Sequence, residues 1–288
     1  MTHVAGHGPP SGSELPPADA ASLLPDVLAG SVAVAIGGAN VIMQLAHLPI
    51  GHGVAESRVE SGRVDKHPLK RFRTTFTYIA VAAGGSDDER LALRAEVNRS
   101  HRQVRSTAAD PVRYDAFDPA QQLWVAACLY RGVELTYELL YGPPDDATAD
   151  ALYRASARFG TTLQVPASQW PPGRDAFEAY WRSGLESVVM DDVTRAYLRR
   201  FAALGFLPLP LRRSLGPVHQ FLATGFLPEP FRSELGLPWG ARRQLAFDVL
   251  TRAGASVIRR LPPPVRAFPF NYLLWDFRSR RAAGRPVV

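Results

Sequence analysis

Apolar residues recur along this chain at spacings of three and four, and no run alternates with a period of two. In ERLALRAEVNRSHRQVRS, residues 89–106, Leu93, Val97, His101 and Val104 share one helical stripe. Arg94, Glu96, Asn98, Arg99, Arg102 and Arg105 form its polar opposite face. PLKRFRTTFTYIAVAAGG repeats the period, with Leu69, Phe72, Phe76, Ile79, Ala80 and Ala83 as the stripe of a helix over about 69–83. The most hydrophobic stretch, LAGSVAVAIGGANVIMQLAHLPIGHGV, reads as a buried helix over about 31–48, interrupted by Asn40, Gln44 and His47. A shorter helix over about 20–29 precedes it, and a loop rich in Gly, Ser and charge follows at 51–68.

Local punctuation agrees with these periods. Pro68 opens one helix, Gly84-Gly85 closes it, and Ser86 with Glu89 three residues on is a capping signature for the next. Asp118 followed by Pro119 starts a long, mostly buried helix. DDATADALYRASARFGTTL, RDAFEAYWRSGLES and DDVTRAYLRRFAAL add three more, the first closed near Gly160. GFLPLPLRRSLG at 205 and GFLPEPFRSELG at 225 echo each other and predict two similar proline-initiated short helices. A late helix is stopped by prolines at 262–264. The class expected is all-α, a globin-like multi-helix bundle of roughly ten helices. Its extent is a disordered tail at 1–19, a single helical domain at 20–282 and a flexible tail at 283–288.

Composition narrows the function classes. The net charge is +6, from 33 basic and 27 acidic residues, and lysine occurs only at Lys66 and Lys70. That excess is spread along the chain, so no nucleic-acid partner is expected; the arginine cluster RSRRAAGRPVV reads as a solvated end. The single cysteine, Cys128, lies in an apolar stretch and reads as a buried, inert thiol. No Cys–His zinc spacing is present. The N-terminus lacks a basic region followed by an apolar core, which together with the lone cysteine favours a cytoplasmic location. The apolar stretch falls short of the roughly 20 uninterrupted residues that span a bilayer.

GxSxG, P-loop, HExxH and GxGxxG motifs are all missing. The pairs Asp87-Asp88, Asp145-Asp146 and Asp191-Asp192 each precede a helical run and read as caps. His101 is the residue that does not belong on its stripe. A neutral imidazole there is either a core group bonded to a carbonyl or a ligand to a metal or haem iron. A porphyrin also needs a flat apolar slot and cations for its propionates. Arg71 and Thr75, four apart at the edge of the Phe72–Phe76 stripe, can clamp a carboxylate; equally, Arg71 is an ordinary surface charge. Gln44 and His47 follow Gly37-Gly38, where a flat ligand or another helix can come close. Polar groups in so apolar a helix must be bonded, either to a ligand or to a neighbouring helix.

Four blocks carry a resemblance when taken in order: GGANVIMQLAHLPIGHGVAESR, PLKRFRTTFTYIAVAAGG, EVNRSHRQVRS and YDAFDPAQQLWVAACL. Over about residues 30–240 the chain resembles the family of the mpaB-type ER-bound oxygenases and the catalytic domain of rubber oxygenase (latex-clearing protein). The resemblance implies an all-helical, globin-like fold around non-covalent haem b. It places the iron ligand on His101 and the R-x-x-x-T pair on Arg71 and Thr75, with Phe72, Phe76 and the helix around Trp124 as pocket walls. The resemblance assigns no residue to the open side of the iron; Gln44 and His47 are the candidates there. It also implies dioxygen chemistry on an alkene or other apolar small molecule. Rubber-cleaving members carry a lysine just before the threonine; here that position is Thr74, which argues against rubber cleavage. The alternative is a non-catalytic haem-binding or lipid-binding helical protein. A weaker third reading is peripheral membrane attachment through the apolar stretch and the arginine tail.

Overall fold

The computed structural model describes residues 24, 28, 30–56 and 66–287. The expected tail at 1–19, the helix at 20–29 apart from Leu24 and Leu28, and part of the 51–68 loop lie outside those residues. What is described is helical; among the described residues one isolated bridge, Arg105 with Asp115, is the only extended pairing. In chain order the α-helices are α1 Gly30–Leu45, α2 Leu48–Ala55, α3 Pro68–Gly84, α4 Asp87–His101, α5 Pro119–Tyr141, α6 Asp146–Ser156 and α7 Arg158–Thr161. They continue as α8 Arg174–Glu186, α9 Asp192–Ala202, α10 Leu209–Phe226, α11 Glu229–Glu234, α12 Ala241–Arg259, α13 Pro263–Arg266 and α14 Phe270–Ala282.

α1 is the hub. It packs on α5, α9 and α10, with Ile36, Ala39, Ile42 and Met43 fully enclosed. Small residues set its approach distances. A Cβ on Gly38 would stand 2.6 Å from His219 Nε2 on α10, and one on Gly132 of α5 would stand 2.9 Å from Asn40 Nδ2. The apolar stretch is therefore largely interior, with Val34 exposed. Among the described residues no single helix is long and apolar enough to cross a membrane; α1 and α2 meet at a bend of 108°.

Several boundaries differ from the sequence expectation, each for a local reason. The helix expected over 31–48 stops at Leu45, because Pro49 has no N–H to offer the Leu45 carbonyl and its ring crowds that oxygen. The loop expected from 51 begins instead as α2. Its glycines are packing sites: a Cβ on Gly51 would lie 2.5 Å from Leu45 O. α4 ends at His101, so Val104 is not on its stripe; the Val104 N–H bonds His101 O in a following turn. Leu69 is 84% exposed and Phe72 42% exposed, so the buried stripe of α3 starts at Phe76. The first GFLP echo is a long helix: α10 continues through Pro217, whose missing donor falls opposite Arg213, an exposed residue. The 278–281 arginines are not simply solvated, since Arg278 pairs with Glu89 at 2.7 Å and Arg280 with Asp276 at 2.9 Å.

The caps fall where the residues place them. Ser86 and Glu89 form a reciprocal capping box at the head of α4. Asp118 accepts from Ala120 N, Asp145 from Thr148 N and Asp191 from Thr194 N. The Asp87-Asp88 pair lies inside the first turn of α4, where the helix dipole favours acids, and Ser86 does the capping.

Candidate functional site

His101 is held from two sides. One turn back along α4, Asn98 Oδ1 accepts from Gln164 Nε2 at 2.6 Å. Gln164 is clamped in turn by Gln122 of α5, through its backbone N–H at 2.8 Å and its side-chain oxygen at 2.5 Å. Gln122 also donates to Ala116 O at 2.7 Å. This knot fixes the end of α4 against α5. Beyond it, the edge of Phe117 meets the imidazole at 6.3 Å.

The imidazole itself is half-buried, and its Nδ1 is fully enclosed with no hydrogen-bond partner among the described residues. Burial, reinforced by the positive charge of Arg71 and partly opposed by Asp115, pulls its pKa down to about 4. At neutral pH it is therefore an uncharged ring with a free lone pair. Arg71 is reached by water, yet desolvation holds its guanidinium below the usual arginine range, with Tyr197 of α9 countering. His101 thus feels the charge of Arg71, and Arg71 that of Tyr197.

One turn along α3 from Arg71, Thr75 lines a small, partly open hollow of about 60 Å3. Its walls come from α1 (Ile36, Gly37, Asn40, Gln44), α3 (Thr75, Phe76, Ile79) and α5 (Leu129, Gly132, Val133), closed by Phe159 and Phe270. Phe72, Phe76 and Phe270 make a ladder of stacked rings, at 4.2 Å and 5.4 Å between centroids. Gly37 faces Phe76 across the hollow, while Gly38 admits α10, so the glycine pair serves both a cavity and a helix contact.

The expected site residues therefore divide into groups. Gln44, Thr75 and Phe76 line the hollow, Phe72 stacks at its edge, and Arg71 and His101 face each other electrostatically. His101 is not among the hollow's lining residues. His47 stands apart from it as well: it precedes α2 and stacks on Trp124 at 4.3 Å, its Nε2 enclosed without a partner and its pKa lowered by burial. Thr74, at the position of the rubber-type lysine, turns its hydroxyl back to Arg71 O at 3.1 Å. Trp124 is a core ring, donating to Met43 O at 3.0 Å and stacked on Trp181.

Some functional neighbours were not visible in the sequence. Asp115 acts on His101 and Tyr197 on Arg71 from a loop and from a remote helix, and no spacing marks them. His52 is fully buried in α2, with Nδ1 2.8 Å from Glu56 and Nε2 2.6 Å from Asp191 at the head of α9. Burial alone lowers its pKa, but the two carboxylates outweigh burial and raise it. Its i,i+4 spacing to Glu56 was the one available signal. Among the described residues no cluster of three His, Cys, Asp or Glu side chains could hold a bare metal ion.

Over residues 26–259 the chain matches the family described as ER-bound oxygenase mpaB/B'/Rubber oxygenase, catalytic domain. It is 50% identical over 250 residues to two uncharacterised proteins, Mb2261 of Mycobacterium bovis and Rv2237 of Mycobacterium tuberculosis. That similarity covers 87% of this chain and 98% of each relative. No solved structure matches the chain.

Proposed function

The chain belongs to the mpaB/rubber oxygenase catalytic-domain family, and on that premise we propose that it is a haem b-dependent oxygenase using dioxygen on an apolar small molecule, with the helices enclosing the cofactor in a globin-like manner. The observation that carries this is His101: a neutral imidazole with an enclosed, unpartnered nitrogen, held rigidly at a helix end beside a cation. An orphaned buried nitrogen is costly unless something unseen meets it.

Bound haem supplies the activation of dioxygen for attack on an alkene or other apolar carbon. The chain's own residues do the rest. His101 would hold the iron through its ring nitrogen, and its low pKa keeps the ring unprotonated near neutral pH. Arg71 and Thr75, one turn apart, bind the propionates; the desolvated guanidinium strengthens a charge-assisted bond. The apolar residues beyond Thr75 face the substrate, and their Phe72–Phe76–Phe270 ladder limits water entry. Thr74, back-bonded to its own helix, contributes no basic group over the iron, in keeping with a substrate other than rubber.

An absorption spectrum with a pyridine haemochrome assay tests this directly. The purified chain should show a Soret band, and His101→Ala supplied with haem should lose it. A full, unshifted Soret band in that variant refutes the ligand. A colourless chain, even after reconstitution, refutes haem dependence, and a coloured chain that consumes no oxygen with apolar substrates points to a carrier.

A further inference from the structure

α12 is apolar on both of its faces. Phe247, Ala255 and Ile258 turn toward the body of the protein, Phe247 meeting Phe226 of α10 at 4.8 Å. A helix that covers a core ordinarily shows polar residues on its other side. Here Leu245, Ala246, Val249, Leu250, Ala253 and Val257 share that other side at spacings of three and four, and each is exposed. The four large ones are between 49% and 66% exposed. A single exposed leucine is ordinary; a whole stripe marks a surface that something covers. On α10, Leu211, Leu215 and Val218 extend toward the N-terminus the face that meets Phe247 through Phe221 and Gly225, and they are exposed too.

The charges around the stripe have one sign. By the helical period Arg242 and Arg260 lie at its two ends, Arg252 and Arg259 along one edge and Arg243 along the other. The one acid from Ala241 to Arg260 is Asp248, 4.0 Å from Arg252. We propose that α12 lies flat on an anionic lipid bilayer, its leucines and valines among the acyl chains and its arginines on the lipid phosphates. A second copy of the chain fits this face poorly. Two such faces meeting about a two-fold axis would bring five arginines against five, with one aspartate on each side to offset them. The docking face is distinct from the apolar stretch of α1, which is largely interior. It goes beyond the oxygenase reading and does not rest on it.

Flotation of the full chain with vesicles of phosphatidylcholine, with and without phosphatidylglycerol, tests the proposal. Binding should need phosphatidylglycerol and weaken as salt rises. Arg242→Gln combined with Arg243→Gln should weaken it roughly 25-fold, at about fivefold for each arginine at the surface. Val249→Asp puts a carboxylate in the middle of the stripe and should weaken it by roughly tenfold or more. Leu91→Asp, at an exposed leucine of α4, should float like the unaltered chain. Absence of binding, equal binding to both vesicles, or undiminished flotation of either α12 variant overturns the proposal. So does a loss in Leu91→Asp as large as in Val249→Asp. A dimer seen by light scattering without lipid, and split by Val249→Asp, gives the stripe to a second copy and overturns it as well. If Val249→Asp does not fold, the arginine pair and the vesicle comparison decide.

Discussion

Replacing His52 with glutamine removes the group that ties α2 to the head of α9 while changing side-chain volume little. In the folded chain the ring is 1% exposed and bonds Glu56 and Asp191 at once, whereas those carboxylates are 37% and 36% exposed. Two hydrogen bonds to charged groups would contribute about 1.5–3 kcal/mol each if fully enclosed. Solvent on the carboxylate side reduces them toward the 0.2–1 kcal/mol typical of surface pairs, so the pair together contributes about 1–3 kcal/mol. The contribution depends on pH with a definite sign. The folded pKa of His52 is raised above its ordinary 6.5, so the stabilisation is complete below 6.5 and fades as pH climbs through the raised value. Asp191 is shifted the opposite way, below its ordinary 3.8, because its hydrogen bonds to Thr194 and His52 outweigh burial; its contribution is present above 3.8 and is lost in stronger acid. Thermal unfolding of both forms, one unit below 6.5 and about two units above it, provides the assay. The deficit of His52→Gln should be about 2–12 °C at the lower pH, at about 2–4 °C per kcal/mol for a chain of this size, and should shrink at the higher one. A deficit that does not change with pH, or grows as pH rises, would refute the charged bridge.

Other substitutions probe the packing around the site. Gly184→Ala would put a Cβ 2.2 Å from the Trp124 indole, which cannot retreat because it is stacked on Trp181 and bonded to Met43 O; a loss of about 2–3 kcal/mol in denaturant unfolding is expected. Gln122→Leu unties the knot behind His101, leaving the Gln164 N–H and the Ala116 carbonyl without their partner; it should cost about 2–4 kcal/mol and speed amide exchange in the last turn of α4. Unchanged exchange there would mean that the knot does not hold the histidine.

Much of the fold was legible because its signals are local. The Ser86–Glu89 box, the Asp118–Pro119 start and the Asp145 and Asp191 caps each involve residues within one turn, and each forms as read. What misled was residue type taken out of its packing. Gly51 and Gly53 look like loop residues, yet they sit in α2 because Leu45 O, Thr194 and the Tyr114 ring leave little or no space for a Cβ. Pro217 looks like a helix end, yet α10 runs through it, and Arg213 opposite the missing donor is an exposed residue. Leu69 completes the apolar period of α3 and still faces solvent, since a period says which residues share a face and not where that face's cover ends.

The candidate site shows the same divide more sharply. Spacing put Arg71 with Thr75, and His101 on the inward side of α4, because both relations run along one helix. The chemistry of those residues is set across helices. His101 has a low pKa because neighbouring elements bury it and Arg71 of α3 adds its charge, and it is held in place because Gln122 and Gln164 converge from α5 and from the segment after α7. Asp115 and Tyr197 temper that arrangement from still other parts of the chain. Gln44 gives the clearest case. Its place in an apolar helix announced a bonding need, but only the structure shows that Asn40, itself donating to the Cys128 carbonyl, accepts from Gln44. Sequence periodicity can name the polar residues of an apolar helix, while the partners that satisfy them are decided by the neighbouring helices.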